Sequence, residues 1–523
     1  MSTPSNSRHP SASDGADVGP SATATVGTSA GAEGSGAGRR RTFLGHPRGL
    51  LPLSGLEVWE RFSFLGMQAI LVLYFADAVA DGGLGMASGT AASVVAAYGT
   101  LVYLCCVLGG WLADRILGSY RAVLYGGILI ACGHYAMALP VAAATWTGLG
   151  LIVLGTGLLK PNVSSMVGKL YDTEDDRRDA GFALYYMAIN IGAFLGPLIS
   201  GWLGQKQGWH WGFSAAAVGM TLGLCQYVLG RRDLAGRTEG AEFALPPATL
   251  RRVVRLTLAA VALLAALAWG LATTGWLTMS RVVDVTSVLS VLAPVAYFTV
   301  MFRSPRTTAE ERGRLRPYVV LFGSSVVFNL ILFQSYSTMT LLAADHADTR
   351  VLGWEFPSTW YNSVLGVVEV LAAPLVAALW LKLGRRQPHA AQKIALGVVL
   401  GGLSFLLMAW AAVGRADDGS GWTMAAWWIV GSYVLLGTGD VVLQATGMST
   451  TTKLAPAAFA NQTMALWMLS IALANGVQSQ TVRLYDVLPT AVYFGVNGAF
   501  TVVAGLAVLA AVPRLRRTMA PVH

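Results

Sequence analysis

The chain reads as an all-α membrane protein with fourteen transmembrane helices, and three observations lead there. Of its 523 residues, 54% are hydrophobic and only 12% charged, whereas a soluble globular chain carries about 25% charged residues. Apolar stretches of about 20 residues, the length that crosses a bilayer as a helix, follow one another closely from residue 52 to residue 512. Basic residues gather at alternate ends of those stretches, as the positive-inside rule requires.

Along the chain, residues 1 to about 42 are mostly Ser, Gly, Ala and Thr with Pro and contain no apolar run. Such a composition cannot bury enough apolar surface to order itself and predicts a disordered tail, without the h-region of a signal peptide. Spans are then predicted near 52–79, 90–113, 121–140, 144–168, 180–204, 211–230, 250–273, 283–302, 316–343, 358–383, 390–413, 422–447, 460–481 and 489–512. With the N-terminus inside, external loops hold only Lys206, Arg281, Arg350, Arg415 and Arg483, and spans hold only Arg61 and Lys160. The other Lys and Arg, among them Arg39 to Arg41, Arg231, Arg232, Lys382, Arg386 and Arg514 to Arg517, fall on the cytoplasmic side. Losing one span would destroy this asymmetry, so both termini are expected in the cytoplasm of a multi-pass protein of the cell membrane. The net charge of +9 is thereby accounted for by loops and does not point to nucleic acid.

The spans group into a tail at 1–45, a six-helix half at 46–230, a linker at 231–315 with two extra helices, a second six-helix half at 316–513 and a short cytoplasmic tail at 514–523. The loop GGWLADRILGSYR, Gly109 to Arg121, follows the second span. A degraded echo, LWLKLGRRQPH, follows the second span of the later half. Repeated halves suit a transporter with alternating access. The extra pair carries no polar constellation beyond Asp284 and is expected to be a peripheral hairpin. Cys105, Cys106, Cys132 and Cys225 lie in apolar stretches without metal-ligand spacing, and the seven His residues are scattered. Neither a metal site nor a nucleophile with its base is legible, which argues against an enzyme.

Charge inside a span is where chemistry is expected, because each ionisable group at mid-membrane costs roughly 2.5 to 3.5 kcal/mol on insertion scales. Glu57, Glu60 and Arg61 share one face of the first span with position 64, and Glu57 and Arg61 have the i,i+4 spacing of an ion pair. A purely structural salt bridge would need one carboxylate. The second makes a candidate proton carrier. Lys160 lies about 13 Å from the membrane surface at 1.5 Å per residue, too deep for easy snorkelling, with Pro161 loosening the helix beside it. A buried ammonium needs a carboxylate, and Glu57 or Glu60 is the expected supply. Asp114, Arg115 and Arg121 sit where a helix meets the cytoplasmic surface and are candidates for a charge latch between the halves. Tyr185, Tyr186 and Asn190 put polar groups on an otherwise apolar helix, where Asn190 serves either a ligand or a neighbouring helix. Asp440 is an isolated carboxylate near mid-membrane, suited to a cationic substrate group. Glu369 is a second, either functional or the structural partner of a nearby polar group. Trp467 either walls a cavity or packs between helices.

Five runs, in order, resemble the motifs of the proton-coupled oligopeptide transporters, the peptide branch of the major facilitator superfamily. They are EVWERF (Glu57 to Phe62), GGWLADR (Gly109 to Arg115), GTGLLKPN (Gly155 to Asn162), YYMAIN (Tyr185 to Asn190) and KLAP (Lys453 to Pro456). The layout resembles the bacterial members, which place two extra helices between the halves. The resemblance covers roughly residues 45 to 515. It implies the major facilitator fold, with Glu57, Glu60, Arg61 and Lys160 in proton coupling. It also implies a substrate site of Arg61, Tyr103, Lys160, Asn190, Asp440 and Trp467, with Asp440 where the family has a glutamate that receives the peptide amino terminus. Departures cluster in the second half: Gln444 and Ala445 replace Ser-Pro, Leu365 and Gly366 replace Asn-Pro, and Phe333 and Gln334 stand where Glu-Gln is common. Glu369 appears where an aliphatic residue is usual, and in the first half Leu65 replaces a tyrosine.

The expectation is therefore a monomeric proton-driven symporter that imports di- or tripeptides or peptide-like compounds by alternating access, with the proton as coupling ion and no cofactor. The alternative is import or export of a non-peptide substrate such as an amino acid, nitrate or a peptide-derived natural product. A channel would need neither the charge network nor the repeated halves.

Overall fold

The computed structural model of the chain describes residues 42–43, 45–171, 177–234, 241, 245–276, 278–414 and 422–519. The expected disordered tail lies almost wholly outside the described residues. Its last part, β1 (Thr42–Phe43), pairs antiparallel with β2 (His46–Pro47). Every span read from the sequence falls on a helix. The first half comprises α1 (Leu50–Ala76), α2 (Ser88–Leu112), α3 (Ser119–Met137), α4 (Ala142–Lys169), α5 (Arg178–Gln207) and α6 (Trp209–Leu229). The short α7 (Arg231–Leu234) leads toward the hairpin of α8 (Pro247–Thr273) and α9 (Met279–Arg303). The second half comprises α10 (Ala309–Leu332), α11 (Thr338–His346), α12 (Trp360–Leu383), α13 (Ala390–Ala412), α14 (Ala426–Leu454), α15 (Ala460–Thr481) and α16 (Thr490–Met519). A small ribbon of β3 (Arg350–Val351) and β4 (Trp354–Glu355) precedes α12.

Among the described residues, 10 helices are long and apolar enough to cross a membrane by length and composition. The α1, α3 and α15 helices fall short because polar side chains run through them: Glu57, Glu60, Arg61 and Gln68 in α1, Arg121 and His134 in α3, Asn475, Gln478 and Gln480 in α15. Most of these are buried within the bundle. Hydropathy drops where a helix turns functional side chains inward.

Within lipid, helices associate through close backbone approach rather than apolar burial. A Cβ at Gly109 of α2 would stand 2.0 Å from the Gly157 carbonyl oxygen of α4, and one at Gly192 of α5 would stand 2.3 Å from the Val58 carbonyl oxygen of α1. The second contact presses α5 against the turn of α1 that carries Glu57, Glu60 and Arg61. The halves meet through α2 against α15 and α5 against α12. At the ends of α5 and α12 remote from the termini, Gln205 Nε2 donates to Ser358 Oγ at 3.0 Å and Thr359 Oγ1 donates to Gln205 Oε1 at 3.0 Å. Trp360 Nε1 donates to the Leu198 carbonyl at 3.0 Å, and Lys206 pairs with Glu355 at 3.7 Å. On the same side the Gly89 amide donates to Asp486 at 2.7 Å.

One predicted span is discontinuous. Between α10 and α11 the chain tightens into a 3-10 turn at Phe333–Tyr336, and Ser337 leaves helical geometry at φ −133°, ψ −95°. Side chains take up the loosened groups. The Ser335 carbonyl accepts from Tyr433 at 3.1 Å and from Thr340 at 2.8 Å, and Gln334 Oε1 accepts from Tyr493 at 2.5 Å. A non-helical segment survives at membrane depth only where such partners surround it. The hairpin docks through α9, whose Asp284 pairs with Arg483 at 2.9 Å and accepts from Gln480 at 3.2 Å, while α8 is largely exposed.

Candidate functional site

The charged face of α1 is buried: Glu57 is 5% exposed, Glu60 0% and Arg61 7%. Arg61 Nε lies 3.2 Å from Glu57 Oε1 and 2.5 Å from Glu60 Oε2, so one guanidinium holds both carboxylates. Tyr185 of α5 donates to Glu57 Oε2 at 2.8 Å, brought there by the close α1–α5 packing at Gly192. Among the described residues, Glu60 Oε1 and Arg61 Nη2 have no hydrogen-bond partner. The cluster thus keeps one acceptor and one donor in reserve.

Lys160 departs from its expected pairing. No ion pair joins it to Glu57 or Glu60 among the described residues. Its Nζ donates to Tyr103 Oη at 3.0 Å and lies 4.5 Å from the centre of the Tyr103 ring and 5.5 Å from that of Phe64. Arg61 stacks on Phe64 from its own side, 5.3 Å from the ring centre. Two cations therefore flank one aromatic ring, one saturated with carboxylate and one without. The reason is rotational: α4 turns Lys160 toward α2, and the electron-rich ring faces satisfy an ammonium that no carboxylate reaches. Phe64 was flagged only by its position on the charged face. Its role as the shared platform could not be read from spacing. Next to Lys160, Pro161 supplies no amide donor, and Asn162 Nδ2 donates to the Leu158 carbonyl at 2.6 Å and to Gly109 at 3.5 Å.

Tyr103 also meets the second half, with its ring 5.9 Å from Phe333 at the start of the α10–α11 break. Tyr336, three residues on, lies within electrostatic reach of Arg61 and Tyr103 at one end and of Glu369 and Asp440 at the other. Asn190 is 1% exposed; its Nδ2 donates to the Tyr186 carbonyl at 3.0 Å and its Oδ1 has no partner. Asp440 on α14 is 8% exposed, and Glu369 on α12 is in hydrogen-bonding contact with it. Sequence had Asp440 isolated; the packing of α12 on α14 gives it a neighbour. Trp467 is 1% exposed and packs on Gly447, where a Cβ would stand 2.2 Å from its ring, so it fills the α14–α15 interface rather than an open wall.

At the other end of the first half, α2 finishes in a wide turn over Ala113–Leu117, and Gly118 takes φ 78° to start α3. Asp114 and Arg115 lie in that turn, the Arg115 carbonyl accepts from the Leu245 amide at 3.2 Å, and Arg121 is exposed on the first turn of α3. These three residues belong to a surface remote from the buried cluster. Among the described residues no group of three or more His, Cys, Asp and Glu is arranged to hold a metal ion.

The sequence model of the POT family matches residues 120–503. A Bacillus subtilis (strain 168) protein named as an uncharacterized transporter, YclF, is 42% identical over 92% of this chain and 96% of its own. The di-/tripeptide transporter of Lactococcus lactis subsp. cremoris is 36% identical over 90% of this chain and 96% of its own. The crystal structure of a peptide transporter POT in complex with sulfate is 43% identical and superposes with a TM-score of 0.88, covering 92% of this chain and 97% of that one. A POT family transporter in complex with 5-aminolevulinic acid is 34% identical, with a TM-score of 0.87 over 91% and 98% of the two chains. Helical architecture, a buried charge cluster between two halves and these end-to-end likenesses converge: the chain belongs to the POT family, proton-coupled transporters of the major facilitator fold.

Proposed function

We propose that the chain is a proton-driven symporter importing di- or tripeptides, or compounds that carry an amine and a carboxylate at similar separation. The observation that carries this reading is the opposition of charge across the interior: Arg61 and Lys160 on the first half, Asp440 on the second. A zwitterionic substrate would span them, its carboxylate on Lys160 and Arg61 Nη2 and its ammonium on Asp440, with Asn190 and Tyr103 alongside. The relative in complex with 5-aminolevulinic acid holds a ligand of that chemistry. Glu57 and Glu60 take the proton. Protonating either one loosens Arg61 from its double pairing and releases a cation to the substrate carboxylate, so proton and substrate are linked by charge balance. With both termini cytoplasmic, the tie between α5 and α12 closes the external side, which fits an inward-facing state. Asp114, Arg115 and Arg121 would latch the opposite side when the halves rock outward. The working unit on this reading is a monomer in the cell membrane, with no cofactor beyond the proton.

Glu60→Gln tests the coupling in proteoliposomes: gradient-driven uptake of dialanine is abolished while counterflow exchange persists. Full gradient-driven uptake in that variant would sink the assignment. A second reading, import or export of a non-peptide substrate such as an amino acid, nitrate or a peptide-derived natural product, is favoured by one observation, the extra carboxyl of Glu369 beside Asp440. Failure of dialanine to compete with transport would favour it.

A further inference from the structure

The contact between Glu369 and Asp440 has a chemical requirement. Two carboxylates are both acceptors, so a hydrogen bond between them needs one proton, which belongs to the pair rather than to either residue. The groups facing the pair are Gln444 on α14, Tyr186 on α5 and Tyr336 at the α10–α11 break. None is a cation, and no Lys, Arg or His among the described residues forms an ion pair with either carboxyl. Two adjacent buried negative charges with no counter-ion would be strongly unfavourable. Asp440 is 8% exposed and its Oδ1 has no hydrogen-bond partner. Asn190 Oδ1, on the same helix as Tyr186, is also buried without one. The pair therefore sits beside buried acceptors that lack a donor, and a substrate ammonium supplies donors.

Building on the reading of Asp440 as the amine end of the substrate site, we propose that Glu369 and Asp440 form a second proton site, separate from Glu57, Glu60 and Arg61, at which the substrate ammonium displaces a shared proton. Empty, the pair carries one proton and one negative charge. On binding, the ammonium N–H groups donate to both carboxylates, the O–H bond of the protonated carboxyl breaks, and that proton leaves to cavity water. No other bond changes, and the proton returns when the substrate departs. The empty carrier then never moves two unpaired charges through the low-dielectric interior. Proton binding is thus linked to the amine end as well as the carboxylate end, with opposite sign.

The test uses full-length protein with Glu369→Gln, which keeps the side-chain shape and a hydrogen bond to Asp440 but removes the shared proton; thermal unfolding confirms that it folds. In difference infrared spectra without substrate, wild type minus Glu369→Gln should show the C=O stretch of a protonated carboxylic acid, and dialanine should erase that band. Dialanine affinity measured across the acid-to-neutral range should rise more steeply with pH in wild type than in Glu369→Gln. The slopes should differ by up to one proton, about tenfold in affinity per pH unit. A merely structural role would move thermal stability but neither the band nor the slope. Absence of the band, or equal weakening of dialanine binding by Glu369→Gln at every pH, overturns the proposal. If dialanine does not bind wild type at all, the peptide reading fails while the band without substrate still decides the proton pair. Should Glu369→Gln not fold, Glu369→Leu supports the same comparisons.

Discussion

Arg61 holds two carboxylates with one side chain, and this asymmetry sets what each substitution does. Replacing Arg61 by Ala leaves Glu57 and Glu60 buried side by side without a counter-ion, a loss of about 3–5 kcal/mol for a broken buried pair. Glu60→Gln leaves Arg61 with Glu57 and an amide in place of the second carboxylate, so its cost is far smaller. Thermal unfolding in detergent should therefore show a large downward shift for Arg61→Ala and a small one for Glu60→Gln; equal shifts would mean that the cluster is not held by Arg61. The triad was legible in sequence because all three residues lie within about one turn of one helix, where spacing alone puts them on one face. The partner of Lys160 was not. Which way α4 turns that side chain depends on close glycine contacts with α2, so Tyr103 and Phe64 take the ammonium that sequence assigned to the glutamates. The Glu369–Asp440 contact was hidden for a related reason: the two residues sit on different helices, and the packing of α12 against α14 decides whether they meet.

Hydropathy made the helices legible, since a lipid-crossing segment must be apolar for about 20 residues, but it says little about where one bends or what ties it to a neighbour. The interruption after α10 has neither Pro nor Gly to announce it. Its only signal is the polar run Gln334, Ser335, Tyr336, Ser337 and Thr338, whose side chains later serve the loosened backbone. The tie between α5 and α12 was equally silent, because Gln205, Ser358 and Thr359 look like ordinary loop-edge residues until the halves are packed. Gln205 alone carries a donor to Ser358 and accepts from the Thr359 amide at 3.3 Å and hydroxyl at 3.0 Å. At about 1 kcal/mol per neutral hydrogen bond, Gln205→Ala should shift the balance toward the conformation open on that side by roughly 5- to 100-fold. Labelling of a cysteine placed on the external half of the interior should accelerate accordingly. Unchanged labelling would show that the α2–α15 contacts, not this tie, hold the closed side.

Across the whole molecule, the first half presents cations and the second half a carboxyl pair, so a substrate reads the two halves by its two ends. This opposition makes a specific prediction about ligand chemistry. Dialanine amide keeps the ammonium and the shape of dialanine but loses the carboxylate that Lys160 and Arg61 would receive. Hydrogen bonds to charged groups contribute about 1.5–3 kcal/mol, so wild-type protein should bind the amide roughly 10- to 150-fold more weakly than the acid. Lys160→Gln should lower affinity for the acid and leave the amide nearly unchanged, because the interaction it removes is one the amide never makes. The ratio of acid to amide affinity should then collapse toward unity, apart from what Arg61 retains. Binding by calorimetry in detergent, with both ligands and both proteins, closes the cycle and isolates the pairwise coupling from any loss of stability. A ratio that survives Lys160→Gln intact would place the substrate carboxylate elsewhere. The amide also separates the two linkages, since its ammonium reaches the Glu369–Asp440 end with the carboxylate end silent. Its affinity should still rise with pH in wild type, and lose that rise in Glu369→Gln.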